Sequence, residues 1–147
     1  MSRENILLTY NYSVEIAGLH VAGFSEVSGL EQEIEVEEYV EGGMDFVHKL
    51  PKGIKHSNVT LKRGITADSV LREWYDLTLK AITYGGTPIP KKAEIYIVVK
   101  DSENNEKIRF MLKYAYPIKW SNSQLNASAS EVSIESVELV HEGMVIV

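Results

Sequence analysis

Most of the chain alternates apolar and polar residues with a period of two, the pattern of strands covered on one face. The alternating stretches are Leu8–Ala17, His20–Val27, Glu31–Val40, Asn58–Lys62, Ala93–Lys100, Lys107–Ala115 and Glu131–Val140, and each predicts a strand. One stretch changes period. Between Thr66 and Thr83, the residues Val70, Leu71, Trp74, Leu77, Thr78 and Ala81 share one side of a helix. Thr66 is placed as its N-cap and Asp68 in its first turn, and Gly85, Gly86 and Pro88 follow its end. The pattern therefore predicts a mainly β fold, a barrel or sandwich, with one flanking helix over about 66–83. The stripe around Trp74 is expected to pack on a sheet.

The segment 42–57 shows neither period and reads as a loop. It places Gly42, Gly43, Pro51 and Gly53 among Lys49, Lys52 and Lys55, with Phe46, Val47, Leu50 and Ile54 between them. Its length is unusual for a loop inside a compact domain and points to an element ordered by a partner. A second loop, 121–130, is rich in Ser, Asn and Ala and carries no charge. No repeat or low-complexity tract interrupts the 147 residues, so one domain over 1–147 is expected.

Charge sharpens this picture. The net charge of −6 is unevenly spread: residues 4–48 hold ten of the 21 acids and no Lys or Arg, which makes −10 for that third. Residues 49–147 hold 14 of the 15 basic residues and the other 11 acids, a balance of +3. Lys49, Lys52, Lys55, Lys62 and Arg63 follow one another with no acid between them. Such a division favours charge complementarity, within the fold or between copies of it. Within 31–41 the odd positions carry Glu31, Glu33, Glu35 and Glu37, while the even ones carry Ile34, Val36 and Val40. A strand face of like charges should stay wet or face a basic partner.

Candidate chemistry is sparse. With no cysteine, disulfides, thiolate metal sites and a cysteine nucleophile are excluded. His20, His48, His56 and His141 have no metal-ligand spacing, and no Gly-x-Ser-x-Gly elbow is present. A row of exposed carboxylates titrates as a solvated cluster, without the divergent environments that acid–base catalysis needs. The paired glycines lack the spacing that cradles phosphate, so no cofactor is expected. Net acidity argues against nucleic-acid binding. Met1–Tyr10 contains only the short apolar run Ile6–Leu8, too brief for a secretory signal, and no apolar window reaches spanning length. Synthesis in the cytoplasm without a membrane partner is the expectation.

Several ordered motifs carry a resemblance: 23–30 (GFSEVSGL), 38–43 (EYVEGG), 49–53 (KLPKG), 60–64 (TLKRG), Trp74 in the helix, 115–120 (AYPIKW) and 135–143 (ESVELVHEG). Together they make the chain similar to the tail-tube proteins of contractile-tailed phages and phage-like contractile injection systems. The family often has Asn before its Ala-x-Pro-x-Lys-Trp segment, where this chain has Tyr114. The resemblance implies a fold like the haemolysin-coregulated protein of type VI secretion, six copies to a ring and rings stacked into an inner tube. It also implies self-association, a surrounding sheath, baseplate-hub and tube-terminator partners, and DNA or effector cargo in the lumen of a phage tail or injection particle. On this reading Gly42, Gly43, Phe46, Lys49, Leu50, Pro51, Lys52, Gly53, Lys55, Lys62 and Arg63 are expected at contacts between subunits. Glu31, Glu33, Glu35 and Glu37 are expected toward the lumen. A tube-initiator or baseplate-hub paralogue is the nearest alternative, and a small β-barrel enzyme or ligand-binding protein the alternative from another class.

Overall fold

The computed structural model describes residues 11–16, 19–43, 45–64, 68–84, 94–123 and 133–147. Among these residues ten strands and one helix follow in the order β1 (Asn11–Ile16), β2 (Leu19–Ser28), β3 (Gln32–Val40), β4 (Val47–His56), β5 (Val59–Gly64), α1 (Val70–Thr83), β6 (Glu94–Lys100), β7 (Glu106–Lys113), β8 (Tyr116–Asn122), β9 (Ile134–Val140) and β10 (Gly143–Ile146). Eight strands form one antiparallel sheet in the order β10-β7-β6-β1-β2-β5-β9-β8, and β3 and β4 form a separate pair. The fold is mainly β with one helix, as expected. The large sheet is not closed by hydrogen bonds: β10 and β8 remain its edges.

The alternation of the strands explains the core. Val14, Val21, Phe24, Val59, Leu61, Ile95, Ile97, Leu112, Val137 and Leu139 project from one face of the curled sheet and are buried together. The helix adds Leu71 and Trp74 to this cluster, so the Trp74 stripe packs as its spacing predicts. Leu77 does not: it stands 63% exposed, because Leu71, Trp74 and Thr78 already fill the face turned to the sheet. The helix begins at Val70, with Ser69 as N-cap residue. The predicted cap Thr66 and the terminating Gly85, Gly86 and Pro88 lie outside the described residues. Asp68 takes part of the capping role, since its carboxylate accepts from the Val70 N–H at 3.3 Å.

Three strands are not predicted by alternation. Strand β8 contains Pro117, which has no N–H to give, and it lies at the sheet edge, where a missing donor costs least. Strand β10 is four residues long, too short to show a period. Strand β4 is the third, and it overturns the loop reading of 42–57. Residues 47–56 pair with β3 along their whole length, from Gln32 opposite His56 to Val40 opposite Val47. Lys52 is the extra residue of a bulge between Gly53, opposite Glu35, and Pro51, opposite Val36. The bulge and its proline break the period that sequence reasoning relies on.

Candidate assembly surface

Strands β3 and β4 form a hairpin that stands clear of the domain. At about 3.4 Å per residue, nine residues extend roughly 30 Å. Every residue of β3 is exposed, and in β4 only His48 and His56 are half-buried. An exposed two-stranded ribbon is marginal on its own and is usually steadied by contacts elsewhere.

Its root is held by specific bonds. Gly29, where the chain leaves β2, has φ +89°, and a Cβ there would lie 1.9 Å from the Asn58 carbonyl oxygen, so no other residue fits. Ser57 donates through Oγ to the Glu31 carboxylate at 2.6 Å, and Gln32 Nε2 donates to the Met144 carbonyl at 2.8 Å. His141 sits between two carbonyls, with Nε2 at 3.1 Å from Ser57 O and Nδ1 at 3.2 Å from Gly143 O. Its ring lies against that of His56, with centroids 5.1 Å apart. Burial pushes the His141 imidazole below its ordinary pKa, against the pull of the two carbonyls. Of these root residues only Glu31 was expected at a site, as an acid facing the lumen. The motifs 23–30 and 135–143 contain Gly29, His141 and Gly143 without signalling what they hold.

The two faces of the hairpin differ. One carries Glu33, Glu35 and Glu37, then Tyr39 stacked on His48 at 4.8 Å, with Phe46 edge-on to the same ring at 4.9 Å. Glu41 approaches His48 Nε2 to 3.3 Å. The other face carries Ile34 opposite Ile54, Val36 opposite Pro51, Glu38 opposite Lys49, and Val40 opposite Val47. Ile34 and Ile54 are 64% and 65% exposed. Such a ribbon of exposed apolar side chains marks a surface meant to be covered. At the tip, Gly43 turns the chain with φ +86°.

The predicted contact residues divide accordingly. Gly42, Gly43, Phe46, Lys49, Leu50, Pro51, Lys52, Gly53 and Lys55 all lie on the exposed hairpin or its turn. Register places Glu33 across from Lys55 and Glu38 across from Lys49, and neither pair closes to ion-pair distance. Lys62 lies apart from the hairpin, on β5, and reaches its own Glu26 at 3.8 Å. Arg63 is a correction. Its side chain is 1% exposed and cannot meet another subunit. Its Nε donates to Glu135 at 2.8 Å, and its Nη2 and Nη1 donate to the two Asp68 oxygens at 2.6 and 3.3 Å. Trp120 Nε1 completes the group by donating to the second Glu135 oxygen at 2.8 Å. Burial works against the charge, and the bonds to Asp68 and Glu135 more than offset it, holding the guanidinium above its ordinary range.

An open cleft of about 410 Å³ lies between Ser25, Glu26, Lys62, Ser121, Ser123 and Ser136. Its two charged groups, Glu26 and Lys62, approach each other to 3.8 Å, and Ser25 Oγ donates to the Lys62 carbonyl at 3.5 Å. Among the described residues, no group of three or more His, Asp or Glu is arranged to hold a metal ion. Nor is any helix among the described residues long and apolar enough to cross a membrane.

The pattern of the family described as T4-like virus tail tube protein gp19 matches residues 8–145. The chain belongs to that family. Solved structures agree on its fold. A chain of the anti-feeding prophage baseplate, six-fold symmetrised, is 22% identical with a TM-score of 0.77, covering 100% of this tail tube family member and 97% of that chain. A chain of the sheath/tube terminator of the extracellular contractile injection system PVC, in its extended state, gives 18%, 0.79 and 99% of both. Hcp1 from Flavobacterium johnsoniae is more distant, at 12% identity and a TM-score of 0.52 over 92% of this chain and 94% of that one. No curated protein sequence gives a significant match. The family's frequent Asn before Ala115 also finds its reason here. Tyr114 has φ +53°, the left-handed region that Asn enters far more readily than an aromatic residue.

Proposed function

We propose that this chain is a non-catalytic structural subunit of the inner tube of a contractile phage tail or phage-like injection system. Six copies form a ring, and rings stack inside a sheath to make a conduit for DNA or effector cargo. The observation that carries the reading is the β3–β4 hairpin, an arm of some 25 residues with two solvent-exposed faces and few contacts to its own domain. An arm of that kind is stable when a neighbouring copy covers it. Membership of the tail tube family supports the same reading. So does the likeness to chains of a baseplate and a sheath/tube terminator of two injection systems, for partners at the ends of the tube.

Head-to-tail stacking needs two different, complementary surfaces on one subunit. The hairpin supplies one, with Lys49, Lys52 and Lys55 meeting acids of the next copy, and Glu31, Glu33, Glu35 and Glu37 turned to the lumen, where like charge keeps cargo from adhering. Catalysis has no part in this reading. Electron microscopy of the purified protein tests it. Stacked rings or tubes are expected; isolated rings that never stack favour the tube-initiator reading, and monomers at every concentration overturn both.

A further inference from the structure

The helix carries a surface that its own domain leaves uncovered. Leu77 and Lys80 of the helix and Tyr84 at its C-cap follow one another at helical spacing on the side turned away from the sheet, with Leu77 and Tyr84 63% and 84% exposed. This gives an apolar residue, a cation and an apolar residue along roughly 10 Å of helix. The apolar face of the hairpin presents the matching row: Val36, Glu38 and Val40, an apolar residue, an anion and an apolar residue along roughly 13 Å of strand. Neither central charge is satisfied at home. Among the described residues, Lys80 makes no ion pair, and Glu38 lies opposite Lys49 in register without approaching it to ion-pair distance.

We propose that the outer face of α1 is the seat for the hairpin of a second copy, with Val36 on Leu77, Glu38 paired to Lys80, and Val40 on Tyr84. The proposal rests on the tube-subunit reading and names the surface that reading leaves open. Both rows belong to the same chain but to different elements of it, the hairpin and the helix. In stacked rings their pairing propagates from copy to copy, as a heterologous contact does. The charges at the middle of each row set the register, since a shift of one strand residue turns Glu38 away from Lys80 and brings Glu37 or Tyr39 to the wrong face.

The absence of cysteine makes the contact directly testable in the full chain. Val36→Cys and Leu77→Cys variants, assembled as a mixture and treated with a short thiol cross-linker, are expected to give a cross-linked dimer that neither variant gives alone. In parallel, Glu38→Lys and Lys80→Glu are each expected to raise the concentration needed for stacking about tenfold, and the double variant to restore it. Both positions are exposed, so unchanged monomer melting curves serve as the folding control. Assemblies that form without the cross-link, or a double variant no better than either single one, overturn the seat on α1 while leaving the tube reading intact. Cross-linking of Val36→Cys to Val145→Cys instead would put the hairpin on the β10 edge. If the unaltered protein makes no multi-ring assemblies, the tube reading fails and this seat fails with it.

Discussion

Arg63 is the residue on which most of the domain converges. It joins β5 to Glu135 on β9 and to Asp68 beside the helix start, lies against the Phe24 ring at 5.7 Å, and shares Glu135 with Trp120 of β8. Arg63→Met removes the cation and leaves Glu135 buried without it, which is expected to cost about 3–5 kcal/mol and lower Tm by roughly 10 °C or more in thermal melts. Tyr114 is expected to behave in the opposite sense. Replacing it by Asn or Gly relieves a left-handed backbone and should stabilise the fold by roughly 1 kcal/mol, read as a higher Tm. His141 gives the pH dependence. Because burial lowers its folded pKa, the unfolded chain takes up the proton first, so stability is full above the ordinary value of about 6.5 and falls as pH drops through the lowered one. Wild-type Tm is expected to fall more than that of His141→Gln between about pH 7 and pH 5, and a histidine NMR titration should place His141 below the free imidazole value.

At the scale of elements, the hairpin and the helix show how far pattern reading reaches. Strand β3 was legible because its Glu and Ile/Val positions alternate without interruption, even though neither face is covered in the monomer. Strand β4 was not, because Pro51, Gly53 and the bulged Lys52 shift the side chains by one position midway. The helix was legible from Leu71 and Trp74, yet Leu77 was misplaced: spacing tells which residues share a stripe and not how wide a stripe the sheet covers. An Asp at both Val36 and Ile54 separates folding from assembly. Both side chains are exposed, so the monomer should melt within about 0.5 kcal/mol of wild type. Sedimentation and electron microscopy should show that it no longer stacks.

For the whole molecule, the charge division acquires a geometry. The acids of 31–41 and the lysines of 49–55 occupy the two strands of one arm; of the remaining basic pair of the run, Lys62 reaches Glu26 at the surface and Arg63 turns inward to Asp68 and Glu135. Reversing Lys49, Lys52 and Lys55 to Glu together should therefore leave the domain folded, since none of the three makes an ion pair within the described residues, and should abolish ring stacking by electron microscopy. Unchanged stacking would remove these lysines from the contact. The strand and helix periods, the absence of cysteine and the ordered motifs were written in the sequence, because period, composition and order are local properties of the chain. The tertiary structure decided that Arg63 alone of the basic run is buried, that 47–56 is a strand, and that an apolar ribbon and a helix face stand uncovered. Burial, pairing and exposure depend on residues far apart in sequence, as when Arg63 meets Glu135 or Gln32 meets Met144, and no local pattern records those meetings.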